Sequence, residues 1–418
     1  MERLSFDKSK GYRDKKLSIC LISQWCYPEP DLKCLPLAQS LLEKGHNVKI
    51  ITGYPNYPGG KVHKNYKIGI FFKEIIGGVP IYRVPLYPSH DSSKIKRILN
   101  YGSFFLFSFL YGLFIVRRKE LLYAYQPPIT TALSALLLKY CKGSKLVLDI
   151  QDFWPDTLSA TGMINNPSII KKIGILCDFV YKRADHIAPL SNGFKKKLIE
   201  RGVDSHKITV VPNWSLSESG PKTEPREILR EKFGMKKFTV LFAGNHGKAQ
   251  ALSTLVKAAE KFREKDVEFL FIGGGLQKES LINLSKELDL NNVRFLDWVS
   301  STEVQDYFEA ADCLIVHLNK DPLFDITIPS KIQAYLLAGR PLLAGIRGDA
   351  KDMIEESGAG YCFEPEDSID LALKLNRLLE HSNDELTKMG NNGQNYYVQN
   401  LSRLSGAQKF ERIFKSLA

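Results

Sequence analysis

The chain contains no Cys-x-x-Cys pair, no Asp-x-Asp metal motif, no Gly-x-Gly-x-x-Gly opening a βαβ unit, and no apolar run of the ~20 residues a bilayer span requires. Each absence excludes a class. Its seven cysteines (Cys20, Cys26, Cys34, Cys141, Cys177, Cys313, Cys362) are scattered and odd in number, and its eight histidines lack metal-ligand spacing. That pattern points to a reducing compartment and no structural metal. Without the glycine fingerprint and its following acidic residue, a NAD-binding enzyme is disfavoured. The first sixteen residues, MERLSFDKSKGYRDKK, are polar and basic, so they do not read as a signal peptide. The basic runs at residues 8–16, 117–119, 171–172 and 195–197 are not interleaved with aromatics, so nucleic acid is not expected as a partner.

Basic charge, by contrast, is in excess. Lys+Arg number 58 against 46 Asp+Glu, a net charge of +12, which suits an anionic ligand or an anionic membrane surface. At 418 residues with 44% hydrophobic content, the chain has the size of two soluble domains rather than one. Residues 104–116, FFLFSFLYGLFIV, are followed at once by Arg117, Arg118 and Lys119. At thirteen residues the stretch is short for a span, which leaves two readings: a buried helix of the first domain, or a helix lying in the plane of a membrane with a basic hem.

Apolar runs of strand length alternate with helical patterns in both halves. The most informative unit is residues 239–256, TVLFAGNHGKAQALSTLV. A buried strand there runs into a turn bracketed by Gly244 and Gly247, and a helix follows. Strand, glycine turn and helix together present backbone N–H groups to a phosphate, with Lys248 at the mouth of the turn. The plain alternative is a βα turn with a surface lysine. In the first half, strands are expected at residues 17–23, 48–52, 71–76, 80–84, 121–124, 146–150, 187–190 and 208–211. The strand at 146–150 delivers Asp152 to the carboxyl edge of a parallel sheet, where open α/β folds place ligands; an N-cap or turn role is its alternative. Residues 1–214 are expected to form the first domain, 215–225 a linker, 226–398 the second domain and 399–418 a helical tail packing back on the first. The fold class is α/β, two Rossmann-like parallel-sheet domains facing across a cleft.

Several segments, in order along the chain, carry a resemblance. They are Tyr27-Pro28-Glu29-Pro30, Gly45-His46-Asn47-Val48, residues 52–58 (TGYPNYP), Asp152-Phe153-Trp154-Pro155-Asp156, Pro212-Asn213-Trp214, residues 244–250 (GNHGKAQ), Ile272-Gly273-Gly274-Gly275, Pro329-Ser330-Lys331-Ile332 and Ala338-Gly339-Arg340-Pro341. Over nearly its whole length the chain resembles the retaining glycosyltransferase family 4, of the GT-B fold, and within it the bacterial O-antigen and capsule fucosamine transferases. The resemblance implies transfer of a sugar, such as an N-acetylated deoxyhexosamine, from a UDP-linked donor to a polyprenyl-diphosphate-linked glycan. It also implies work at the cytoplasmic face of the plasma membrane without a metal cofactor. The donor would sit in the second domain. Lys248 and Lys331 would hold the diphosphate, helped by Gly244, Asn245, Gly247, Gln250, Gly274, Pro329 and Ser330, with Trp298 and Val299 at the base. Gln24, Tyr27, Glu29, Gln126, Trp154 and Asp325 would face the acceptor or the donor sugar, and Asp152 would join the lysines as a catalytic residue.

There are departures from the family pattern. Where many relatives carry two glutamates eight positions apart, this chain has Ile326 and Ala334, with Asp325 beside the first. The glycine-rich loop expected after the first strand is Asp31-Leu32-Lys33. Both put the sugar and the acceptor in question rather than the reaction class. Two alternatives follow: a GT-B transferase with a soluble acceptor, or a non-catalytic module that binds sugar nucleotide.

Overall fold

The computed structural model describes residues 16–29, 33–89, 93–160, 163–164, 166–215 and 224–418. Pro30, Asp31, Leu32, most of the basic run at 8–16 and most of the linker at 215–225 lie outside them. The first domain runs β1 (Ser18–Ile22), α1 (Cys34–Glu43), β2 (Asn47–Gly53), β3 (Phe72–Ile76), β4 (Val79–Val84), α2 (Lys94–Ile115), β5 (Leu121–Gln126), α3 (Ile129–Lys142), β6 (Leu146–Ile150), α4 (Asp156–Ala160), α5 (Pro167–Arg183), β7 (His186–Pro189) and α6 (Asn192–Glu200). Its sheet has the order β3-β4-β2-β1-β5-β6-β7. Every pair is parallel except β3 with β4, a hairpin turned by Gly77 and Gly78 at φ +54 and +80. Helices cover both faces, so β6 is buried at every residue, Asp149 included.

The second domain runs α7 (Arg226–Phe233), β8 (Phe238–Ala243), α8 (Ser253–Ala259), β9 (Val267–Ile272), α9 (Lys278–Glu287), β10 (Val293–Leu296), α10 (Glu303–Ala310), β11 (Cys313–His317), α11 (Pro322–Asp325), α12 (Ser330–Ala338), β12 (Leu342–Gly345), α13 (Gly348–Ser357), β13 (Gly360–Phe363), α14 (Ser368–Leu379) and α15 (Asn383–Tyr396), followed by α16 (Arg403–Leu417). Its six strands are all parallel, in the order β10-β9-β8-β11-β12-β13. The carboxyl ends of the two sheets face each other. The Ser191 hydroxyl, which caps α6, donates to the Ile326 carbonyl at 2.6 Å, and the Gly193 N–H donates to Asp349 Oδ2 at 2.6 Å.

Several elements differ from the sequence expectation. The apolar helix begins at Lys94 rather than near residue 104, because Ser93 caps it and Lys96 and Arg97 fall within its first turns. At Ile95–Ile115 it is long and apolar enough to cross a membrane. Its inner face is nevertheless committed to the domain: Phe104 is fully buried, the Ser108 hydroxyl donates to Ser134 Oγ at 2.8 Å, and Gly112 lies hard against Leu138. Its other face carries exposed Ile95, Ile98, Leu106 and Phe114, so the stretch is neither a plain core helix nor separable from the domain. Residues 208–211 form a single bridge, Ile187 with Ile208, instead of a strand. α13 and β13 arise where no strand or helix was expected.

After α15 the chain crosses back through a π-helical turn at Tyr397–Leu401, and α16 buries Ala407, Phe410, Ile413 and Phe414 in the core beneath β1 and α1. Lys33 organises this junction. Its ammonium is fully buried, 3.1 Å from Asp149 Oδ2, and donates to the Val211 carbonyl at 3.3 Å. It also lies 5.6 Å from the Trp214 ring and 5.4 Å from the Phe410 ring. Asp149 further accepts from the Tyr123 hydroxyl and the Gln151 amide. Burial pushes the Lys33 pKa down, and the Asp149 carboxylate opposes that shift. Removing one partner of such a pair leaves a buried charge uncompensated. Lys33→Met is therefore expected to destabilise the fold by ~3–5 kcal/mol, measured as a lower urea midpoint in the tryptophan fluorescence of Trp214 and its neighbours.

Candidate active site

β8 ends at Ala243, and the strand edge there has diverged from β11, whose pairing with β8 is confined to Val240 and Leu241. The Tyr335 hydroxyl of α12 fills the gap, accepting from the Ala243 N–H at 3.0 Å and donating to its carbonyl at 3.3 Å. Gly244 then turns the chain at φ +133, and a β-carbon on it would stand 2.6 Å from Lys331 Cε and 2.7 Å from Nζ. Glycine is required at that close approach. Lys331, in the first turn of α12, thus lays its side chain across the Gly244 backbone, with its ammonium 4.7 Å from the Phe242 ring. Burial lowers its pKa to about 8.

The triple glycine after β9 completes the turn. A β-carbon on Gly273 would meet the Gly244 carbonyl at 2.1 Å, and one on Gly275 would meet Asn245 Oδ1 at 2.6 Å. One on Gly274 would stand 2.8 Å from Trp298 Nε1, which places the largely exposed indole against this loop. The two loops are tied by His246 N–H to the Gly274 carbonyl at 2.8 Å and Gln277 N–H to the His246 carbonyl at 2.9 Å.

Three residues of this site escaped the sequence reading. The His246 side chain is fully buried among Phe242, Phe271 and Phe295, and burial holds its pKa down to about 4. A neutral imidazole there shapes the turn. Lys278 donates to the carbonyls of Gly273 and Leu296 at 3.0 and 2.9 Å, pinning the glycine loop to the end of β10. His317, at the end of β11, accepts the Glu366 N–H at 2.9 Å through Nε2 and bonds the Gln250 carbonyl at 2.7 Å through Nδ1. The histidines and Lys278 sit beside glycines and strand ends, but nothing in local sequence marks the histidines as buried or Lys278 as bound to strand-end carbonyls.

The other expected residues divide. Lys248 opens the 3₁₀ turn Lys248–Gln250 and is exposed, with Ser330 likewise exposed at the start of α12 after Pro329. Asn245 is exposed on the turn. Asp152 follows β6 at the opposite sheet edge, where burial raises its pKa. Tyr27 is half exposed. Asp325 closes α11, its carbonyl pressed against Gly348.

Six expected site residues are engaged in structural roles. Glu29 is buried and accepts from the N–H groups of Cys26, Asn56 and Tyr57 at 3.1, 2.7 and 2.8 Å, so it clamps two loops together; burial raises its pKa to about 6 against those donors. Gln126 is fully buried in β5 and donates to the Tyr181 hydroxyl at 2.8 Å. Gln250 Oε1 accepts the Gly247 N–H at 3.1 Å. Val299 packs on the second-domain core and Trp154 in the first. Gln24 is also buried, donating to Asn100 Oδ1 at 2.6 Å. Ile326, at a family glutamate position, packs on Gly193 across the domain boundary. Among the described residues, no group of three or more His, Cys, Asp or Glu could hold a metal ion.

Residues 33–214 match the family model described as glycosyl transferase 4-like domain, and residues 225–396 the model for glycosyl transferases group 1. The chain belongs to the family 4-type glycosyltransferases. This transferase is 27% identical over 342 residues to an Escherichia coli (strain K12) protein named as a colanic acid biosynthesis glycosyl transferase, WcaI, covering 79% of this chain and 83% of that one. It is 25% identical over 337 residues to a Pseudomonas aeruginosa protein named as a glycosyltransferase, WbjE, covering 78% and 82%. Its fold matches that of Anabaena HepE solved with UDP, at a TM-score of 0.72 and 15% identity over 96% of this chain and 100% of the other. A sucrose-phosphate synthase from Thermosynechococcus elongatus matches at 0.69 and 15%, over 96% and 99%. Both likenesses show the GT-B fold.

An anion beside Lys331 stabilises its charged form and so raises its pKa from about 8. The transferase should therefore take up a proton on binding a nucleoside diphosphate near that pH, and its affinity should fall several-fold as the pH rises through about 8 and beyond. Calorimetry in buffers of different ionisation heat measures both effects, and both should vanish in Lys331→Met.

Proposed function

We propose that the chain transfers a sugar, with retention, from a UDP-linked donor held by the second domain to a lipid-linked oligosaccharide presented to the first. The observation that carries this reading is Lys331, its desolvated ammonium lying over Gly244 at the carboxyl edge of the second sheet. A cation in that position can neutralise the departing diphosphate without a metal, and a low-dielectric surround strengthens it. The acceptor oxygen would bond to the anomeric carbon as that carbon's bond to the β-phosphate oxygen breaks, and the acceptor proton would pass to the phosphate. Lys248 would add a movable cation, and Trp298 a face for the base. Asp152, with its raised pKa, lies on the acceptor side. The donor assignment is supported by HepE, whose structures include one with UDP-glucose. A role in surface polysaccharide synthesis is supported by the colanic acid name of the Escherichia coli relative. L-Fucosamine is the proposed sugar, with O-antigen or capsule as the product.

The test is turnover with a panel of UDP- and GDP-sugars on membrane extract, in the presence of excess EDTA. Activity should survive chelation, and Lys331→Ala or Lys248→Ala should lower kcat by ~10²–10³, the scale of one lost electrostatic stabiliser. Near-native rates in both variants, or rescue of activity only by Mg²⁺ or Mn²⁺, would remove the assignment.

Peripheral attachment to the inner face of the plasma membrane is the second part of the proposal. It is supported by the exposed apolar side of α2 with Lys96 and Arg97 near its start and Arg117, Arg118 and Lys119 after its end. Basic residues near an anionic leaflet contribute about 1 kcal/mol each. Reversing charge at 117–119 should leave the melting temperature unchanged and weaken flotation with anionic liposomes by ~10²-fold. Unchanged flotation, or none in the native chain, would favour a soluble acceptor.

A further inference from the structure

α2, α3, α5 and the turn after β6 enclose an apolar groove of about 390 Å³ on the flank of the first domain, within the ~300–1,000 Å³ typical of ligand sites. Ile98 and Gly102 line it from α2, Ile173 and Leu176 from α5, and Trp154 from the turn after β6. Among the described lining residues Arg97 is the one charged side chain. We infer that this groove holds the first units of the isoprenoid chain of a polyprenyl diphosphate, with the anionic head at Arg97 and the glycan directed to the cleft. The inference rests on the lipid-linked acceptor reading and assigns it a site.

Three observations carry it. The groove is apolar and open, an arrangement that a soluble chain gains by filling. Its α2 wall includes Ile98, which is 69% exposed, and Ile95 one turn earlier is 72% exposed. A hydrocarbon chain can enter there from a membrane without crossing water. One turn after Ile98 on the same wall stands Tyr101, its ring 6.5 Å from that of Trp154 and its hydroxyl under the charges of both Arg97 and Asp152. Arg97 on that wall puts a cation at hand for a phosphate, on the side of the first domain that carries Asp152. Charge complementarity selects a phosphorylated chain over a neutral lipid.

Gly102 allows a clean test. It lies in α2 and in the groove wall, and a β-carbon there meets nothing within 4 Å. Gly102→Phe should fill the groove while favouring the helix; Ile173→Gln, on α5, is a second variant. Farnesyl diphosphate, kept below its aggregation concentration, is titrated into each protein by tryptophan fluorescence and calorimetry, with UDP as a control. The native chain should bind it, and both variants should bind it at least about tenfold more weakly, the loss of about two buried methylenes. UDP affinity and melting temperature should stay unchanged, and excess inorganic pyrophosphate should not displace the probe. Equal binding by native chain and variants, or displacement by pyrophosphate, overturns the groove. A parallel transfer assay on membrane extract separates the two readings. Label in a lipid-soluble product without farnesyl diphosphate binding sinks the groove alone; label only in water-soluble product sinks the lipid acceptor and the groove with it.

Discussion

The desolvated ammonium of Lys331 is the interaction on which the candidate site of the second domain depends. A lysine head can approach the end of β8 only because Gly244 has no side chain, and Gly244 can take that path only because Gly273 leaves room for its carbonyl. The Tyr335 hydroxyl satisfies the strand edge that this arrangement leaves open. Removing any of these would move the cation or strand a buried polar group. Low dielectric makes the charge strong towards a phosphate and unfavourable without one, which is why its pKa falls. The site is thus prepared for an anion before one arrives.

The first domain solves a different problem. It must hold a hinge and a returning helix on one sheet. The buried pair of Lys33 with Asp149 reaches the hinge through the Val211 carbonyl and Trp214, and the returning helix through Phe410. A buried ion pair adds little net stability over an apolar substitute, yet its geometry is demanding. It therefore fixes where α16 and the crossing chain sit relative to β6, the strand that carries Asp152 into the cleft. α2 joins that scaffold through its inner face while its outer face stays apolar and uncovered. One helix thereby links the domain core to whatever lies outside it.

The α/β class with two parallel sheets, the alternation of strand and helix, and the glycine turns were legible in the sequence because they rest on local signals. Apolar runs of strand length at β1, β6, β8 and β9, and glycines at Gly244 and Gly273–Gly275, state their conformational needs residue by residue. Lys331 was legible as a cation at a loop-to-helix entry. What the sequence could not tell was which polar side chains would face the cleft. Glu29, Gln126 and Gln250 look like site residues in a linear reading, yet Glu29 and Gln126 are turned inward to satisfy backbone or hydroxyl groups of a distant segment, and Gln250 caps its own turn at Gly247. His246 and Lys278 look ordinary and turn out to shape the turn.

The physical reason is range. Strand, turn and helix follow from steric and periodic rules that act over a few residues, and the sequence by itself determined them along with the overall excess of positive charge. Burial, by contrast, is decided by contacts between segments far apart in the chain, and burial sets hydrogen-bond partners and pKa alike. Only the tertiary structure could bring Lys33 to Asp149 across 116 positions, start the apolar helix at Lys94, and leave one side of it, with its groove, open to solvent.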